Sequence, residues 1–192
     1  MNELYPVFMK VSELHTLVVG AGSVGLEKLT FLLKSSPNAM VTVCAREISP
    51  EVKALVENKK NVVLIQDLYR AQYLEEKHLV IAATNDAAVN HQIHRDAKER
   101  FLLINVADTP QLCDFYLGGI VTKGNVKIAI STNGKSPTTA KRLRQLLEEV
   151  IPEDINDLVE NLHLYRETLK GDFEHKVQAL NKLTKGLLDN EP

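Results

Sequence analysis

His15-Thr16-Leu17-Val18-Val19-Gly20-Ala21-Gly22-Ser23-Val24-Gly25 is the stretch that decides the fold. An apolar strand runs directly into Gly-x-Gly-x-x-Gly. A helical pattern follows at once, with Gly25, Leu29, Leu32 and Leu33 spaced i, i+4, i+7, i+8. Each glycine has its own physical task in such a turn. Gly20 permits the tight bend, Gly22 removes a side chain that would hold a pyrophosphate off the backbone, and Gly25 lets helix and strand approach closely. The free N–H groups and positive dipole end of the new helix, starting at Ser23 and Val24, then face an anion. The motif therefore marks a candidate dinucleotide site.

Outward from this turn, strand and helix patterns alternate over the first 110 or so residues. Met40–Ala45, Val62–Ile65, His78–Thr84 and Leu102–Val106 read as strands two to five. A helix beginning near Asn85 or Asp86 carries Val89, Ile93 and Ala97 on one stripe. Alternation of this kind predicts an α/β fold, a parallel sheet covered by helices on both faces. The pattern then changes. Phe115–Thr122 and Val126–Thr132 read as strands joined by Gly124-Asn125, a pair suited to a two-residue hairpin turn. Ser136-Pro137 supplies a helix cap and first residue, and Ala140, Leu143, Leu146, Leu147 and Val150 follow at helical spacing until Pro152. Ile155, Leu158, Val159, Leu162 and Leu169 line a further helix, and Phe173, Val177, Leu180 and Leu187 another, with Gly171 between them. The division read from this is 1–113, 114–150 and 151–192. A hairpin with one helix is marginal alone, so a homodimer built on residues 114–150 is expected.

Bulk properties narrow the function classes. The 192 residues are 44% hydrophobic and 25% charged with a net charge of −2, ordinary for a soluble globular protein and unlike a nucleic-acid or membrane binder. No apolar run approaches the ~20 residues of a membrane span. The N-terminus lacks the basic and apolar regions of a signal peptide. Cys44 and Cys113 are isolated and read as free thiols, which fits the cytoplasm. No Cys or His spacing resembles a metal site.

Three features invite chemistry. Lys123, Lys127, Lys135, Lys141, Arg142 and Arg144 fall between Phe115 and Leu147, a segment without a carboxylate. This is either a solvated face or a site for a polyanionic small molecule. Gly134-Lys135-Ser136 is not a P-loop, because the required glycine five residues earlier is Ala129 and Pro137 follows the serine. What survives is a loop, Ser131–Lys135, feeding a helix N-terminus. Asp108 stands at the carboxyl end of strand five, where ligands of open α/β sheets bind. Position alone suits it equally to catalysis and to turn formation. At the end of strand two, where an NAD-specific fold usually keeps an acid, stand Cys44 and Ala45, then Arg46 and Glu47. Arg46 favours a 2′-phosphate and Glu47 a ribose, leaving NAD and NADP both open.

Assembled, these blocks resemble a known family. Leu4-Tyr5-Pro6-Val7-Phe8, the segment Gly20–Lys28, Ile81–Asp86 with Asn90, Asn105–Asp108, and above all Ile128–Pro137 are similar to the precorrin-2 dehydrogenase and sirohydrochlorin ferrochelatase family, which includes the N-terminal part of siroheme synthase. The resemblance implies a Rossmann-like parallel sheet, a small hairpin–helix dimerisation segment and a helical C-terminal tail. It further implies NAD-dependent oxidation of precorrin-2 to sirohydrochlorin in sirohaem synthesis, in some members with Fe²⁺ insertion. The cofactor would meet Gly20, Gly22, Ser23, Val24, Gly25, Arg46, Glu47, Thr84 and Asn85. The tetrapyrrole, rich in carboxylates, would meet Thr132, Asn133, Lys135, Ser136, Lys141, Arg142 and Arg144. In the family the aspartate matching Asp108 is catalytic, and the residue matching Thr132 is a serine phosphorylated in one branch. Gly25-Leu26-Glu27-Lys28 departs from the family's Ala-x-Arg-Lys, and the methyltransferase domain of the fused enzymes is not in this sequence.

Two other readings remain. One is an NAD(H)-sensing module of the potassium-uptake type, which binds nucleotide without turnover. It shares the glycine motif and a strand ending like Ala83–Asp86, but normally keeps the acid after strand two. The other is a dehydrogenase for a different polyanion.

Overall fold

The computed structural model describes residues 2–185, so Leu187 lies outside the described residues. Two compact units are present: the chain up to Gly118 together with Ser131–Ser136, and Gly119–Ile130 together with the chain from Pro137 onward.

The first unit is built on five parallel strands, β1 (His15–Ala21), β2 (Met40–Ile48), β3 (Val62–Gln66), β4 (Leu79–Ala82) and β5 (Leu103–Val106), in the order β3-β2-β1-β4-β5. That order places a topological switch point between β1 and β4, outside whose carboxyl ends ligands bind in such sheets. Successive residues of the central strands point to opposite faces, and both faces are buried. Val18, Val43 and Ile81 pack on one side with Leu29 and Leu33 of α1 (Ser23–Ser35) and Val52 of α2 (Pro50–Val56). Leu17, Val19, Val80 and Ala82 pack on the other with Ile93 and Ala97 of α3 (Ala87–Glu99). Burial on both faces explains why these strands read as continuous apolar runs. The connection from β3 to β4 carries only one turn of 3₁₀ helix, Ala71–Leu74, so helical cover is thinner there than expected.

The second unit holds the antiparallel hairpin β6 (Gly119–Lys123) and β7 (Val126–Ile130) with helices α4 (Pro137–Val150), α5 (Ile155–Thr168) and α6 (Phe173–Thr184). Gly124, at φ +55°, takes the first turn position, where a Cβ would lie 2.1 Å from Asn156 Oδ1. Asn125 N–H donates to that same oxygen at 2.8 Å, seating the turn on α5.

Several boundaries differ from the sequence reading, each for a visible reason. The hairpin begins at Gly119 rather than Phe115, because residues 114 and 115 bond to β5: Asp114 N–H donates to Ile104 O (2.8 Å) and Asn105 Nδ2 to Phe115 O (2.8 Å). β7 stops at Ile130, and Lys135 N–H closes a turn on Thr132 O at 3.1 Å. β4 stops at Ala82, because both backbone polar groups of Thr84 are taken by the Asn90 side chain. Leu169 falls just past the end of α5.

Candidate active site

The glycine turn is shaped as the motif requires. Gly20 sits at φ +107°, and a Cβ there would lie 2.3 Å from Ala83 O, so β1 meets the end of β4 as only glycine allows. A Cβ at Gly25 would lie 2.1 Å from Gly20 O, which ties the first turn of α1 to the strand end. Gly22 is the opposite case. A Cβ there would meet nothing within 4 Å. Its glycine is therefore not demanded by the fold, and the open space over it leaves room for a bulky anion. α1 begins at Ser23, capped by no side chain and with no acid in its first turn, so its leading N–H groups remain for a ligand. These features fit a dinucleotide pyrophosphate.

β2 shapes the next part. Val19 pairs with Cys44 and Ala21 with Ile48, so β2 bulges opposite Gly20 and turns Arg46 and Glu47 to solvent. Neither side chain has a hydrogen-bond or ion-pair partner among the described residues, so both are available to a sugar or phosphate. Sequence reading overlooked an acid one strand further out. Asp67, just past β3, accepts from Tyr73 Oη (2.6 Å), Leu68 N–H (2.8 Å) and Arg70, and its carboxyl is held below the usual carboxylate range, first by the Tyr73 bond. The Cys44 thiol donates to Asp67 O at 3.6 Å. An acid directly after a strand was the available signal.

At the switch point, Ala83 N–H donates to Val19 O (2.7 Å) and Ala107 N–H to Ala82 O (2.9 Å). These bonds bring the glycine turn, the Thr84–Asn85 loop and the Asp108 turn to one edge of the sheet. Thr84 is fixed from below: its hydroxyl donates to Asn90 Oδ1 (2.7 Å) and Asn90 Nδ2 donates to its carbonyl (3.0 Å). Asn90 itself is buried. Asp86 caps α3 by accepting from Ala88 N–H (2.8 Å) and Val89 N–H (3.2 Å), leaving Asn85 exposed between two anchored residues.

Asp108 is exposed, at φ +57°. Thr109 N–H donates to Val106 O at 3.3 Å, so Asp108 is the third residue of a turn, the position where type II geometry demands positive φ. Its carboxylate has no hydrogen-bond or ion-pair partner among the described residues. A turn-forming aspartate would bond a nearby N–H; this one leaves its oxygens to solvent while occupying a strained conformation. Such outliers cluster at functional sites.

Residues expected to meet the polyanion fall in both units. In the first, Thr132 Oγ1 accepts from Ser136 N–H (3.2 Å) and lies 3.1 Å from Ser136 O, closing the loop. Asn133 (φ +54°) and Gly134 (φ +71°) form its bend, and Lys135 is exposed. In the second, Lys141 and Arg142 are exposed on α4, with Arg142 bonded to Gln145 (3.0 Å). Arg144 pairs with Glu148, and Lys123 with Glu153. Both acids lie just beyond the carboxylate-free window, so the cationic segment is partly neutralised within its own unit.

Comparison with known proteins adds to this geometry. Residues 7–119 match the family model described as "Putative NAD(P)-binding". The chain belongs to that family. Residues 123–149 match a second model, "Sirohaem biosynthesis protein central". The siroheme synthase of Psychrobacter cryohalolentis is 39% identical over 176 residues, 92% of this chain and 32% of that protein. That of Pseudoalteromonas atlantica is 38% identical over 171 residues, 89% of this chain and 36% of that one. The chain thus spans about a third of the length of these curated relatives. Among solved structures, SirC, a precorrin-2 dehydrogenase, has the same fold, with a TM-score of 0.75 at 23% identity over 94% of this chain and 89% of that one. The similarity to siroheme synthases therefore runs along nearly the whole chain, and the NAD(P)-binding family model covers the glycine turn.

Proposed function

We propose that the chain oxidises precorrin-2 to sirohydrochlorin with NAD⁺, as part of sirohaem synthesis. The observation that carries this reading is Asp108: an unpartnered carboxylate in a left-handed turn at the same strand edge as the glycine turn. NAD⁺ supplies a hydride acceptor when bound. Gly22 and the leading N–H groups of α1 would hold its pyrophosphate, Arg46 or Glu47 its ribose, and Thr84 and Asn85 the strand edge beside it. Asp108 Oδ takes the proton that leaves the macrocycle as the hydride departs, a role that contributes typically ~10²–10⁴ in rate. Lys135, Lys141, Arg142 and Arg144, with Thr132, Asn133 and Ser136, are the groups proposed to meet substrate carboxylates.

The proposal includes a cytoplasmic homodimer, with residues 1–113 binding cofactor, 114–150 dimerising and 151–192 forming a helical C-terminal domain. Its support is the second unit's unburied apolar surface. Leu143, Leu146 and Val150 recur along α4 at 41%, 53% and 66% exposure. No helix among the described residues is long and apolar enough to cross a membrane.

Incubating the protein with precorrin-2 and NAD⁺ tests the activity. Stoichiometric NADH and sirohydrochlorin are expected. Binding of NAD(H) with no turnover would overturn the reading and favour a nucleotide sensor.

A further inference from the structure

Asp108 makes no side-chain bond among the described residues, so its carboxylate is aimed entirely by the loop that carries it. That loop leaves β5 at Val106, turns through Ala107 and Asp108, passes one 3₁₀ turn (Pro110–Leu112) and returns at Cys113. The returning segment is bonded back to β5. Asp114 N–H donates to Ile104 O, Ile104 N–H donates to Asp114 Oδ2 (3.0 Å), and Lys98 pairs with Asp114 at 2.6 Å. One thiol bonds across the loop, beside a Thr109 hydroxyl that donates to Ala107 O at 3.3 Å. Cys113 Sγ accepts from Val106 N–H at 3.2 Å and from Asn105 Nδ2 at 3.4 Å. It also lies within donor reach of Val106 O (3.2 Å) and Thr109 O (3.4 Å). The sulfur therefore touches backbone groups on both sides of Asp108, Val106 before it and Thr109 after it.

We propose that Cys113 is a positioning residue for the reaction: its thiol staples the Asp108 turn shut and fixes where the carboxylate points. The proposal rests on Asp108 being the base. A neutral thiol suits the task, because only the protonated form donates to a carbonyl while accepting from Val106 N–H. Burial pushes the Cys113 thiol up, keeping it protonated. Asn105, buried and bonded to both Cys113 Sγ and Phe115 O, holds the sulfur from the strand side.

Three variants test this. Cys113→Val stays apolar at somewhat greater bulk and loses every bond, Cys113→Ser keeps a donor and acceptor on a shorter reach, and Asp108→Asn removes the base. Cys113→Val is expected to lower kcat by about tenfold to a hundredfold, the scale of an ångström-sized misplacement. KM for NAD⁺ should stay within about twofold, since binding groups are untouched. Cys113→Ser should recover much of the lost kcat. In the Asp108→Asn background, Cys113→Val should cost little more, because a misaimed base matters only when there is a base. Wild-type kcat in Cys113→Val, or an equal loss in both backgrounds, overturns the positioning role. Near-full activity of Asp108→Asn instead overturns the assignment of the base, so the two failures are distinct. If Cys113→Val does not fold, wild-type stability with unrestored kcat in Cys113→Ser against a folded Cys113→Ala of equal activity also rejects the idea.

Discussion

The parallel-sheet unit buries apolar side chains on both faces, from Leu17 and Val18 at its centre to Ile104 and Val106 at its edge, whereas in the hairpin–helix unit Val121 alone is buried among the described residues. No residue of α4, α5 or α6 is buried, although each helix carries an apolar stripe. The contrast has a physical meaning. A sheet covered on both sides closes its own core and can hold a turn such as that of Asp108 in a strained conformation. A hairpin with three helices that leave Leu143, Leu146, Val150 and Leu164 exposed has not finished burying its surface. The first unit finishes its own core. The second is built to be covered, and a second copy of the chain is the proposed cover.

The largest effect separates chemistry from capture. Asp108→Asn keeps shape and loses basicity, and should lower kcat by roughly 10²–10⁴ while NAD⁺ affinity and oligomeric state persist. Asn tolerates the left-handed backbone as Asp does, so near wild-type turnover in this variant would remove the catalytic assignment.

Next come the glycines, whose replacement should divide sharply within one motif. Gly22→Val places a side chain in open space and should abolish NAD⁺ binding with little change in Tm. Gly20→Val drives its side chain into Ala83 O at a positive φ and should unfold the sheet unit or destabilise it by several °C. Equal stability losses in both would break the idea that only Gly22 serves the ligand.

Leu146→Glu with Val150→Glu sharpens the other half of the comparison. If α4 is covered by a second copy, removing two apolar contacts worth ~1.5–3 kcal/mol each should shift the protein toward monomer at micromolar concentration. Sedimentation would show it, and an unchanged mass would dismiss α4 as the dimer contact.

Smaller effects follow from charge. With Lys135, Lys141 and Arg142 exposed, KM for the tetrapyrrole should rise with ionic strength while kcat stays level, since exposed pairs are screened within ~10 Å at 0.1 M. The smallest is alkaline. Burial pushes the Cys44 thiol up to about 11 from 9.0, so the unfolded chain loses its proton first. That stabilisation is complete below pH 9.0 and lost as pH climbs toward 11. Tm should fall across that window in the wild type and less steeply in Cys44→Ala, as measured by calorimetry.

Much of this was written in local pattern. Gly20, Gly22 and Gly25 between an apolar run and a helical stripe announced the β1–α1 turn, because close backbone approach leaves no other residue type at Gly20 and Gly25. Gly124-Asn125 fixed the hairpin, and Ser136-Pro137 the start of α4. Local counting also misled: the window from Phe115 to Leu147 held no acid, yet Glu148 lies one helical turn beyond Arg144 and Glu153 reaches Lys123 from thirty residues away.

What the sequence determined by itself is therefore the order of elements and the chemistry available at their ends, since periodicity and turn propensity act over a few residues. What only the tertiary structure decided is which ends meet. Nothing in the spacing of Val19, Ala82 and Ala107 says that backbone bonds join all three at one edge, or that Gly20 is pressed against Ala83. Nor does Cys113, seven residues past Val106, announce that its sulfur bonds to the backbone on both sides of Asp108. Such contacts follow from strand order and from closing the core on both faces. That is a global balance of burial against chain entropy that no short window contains.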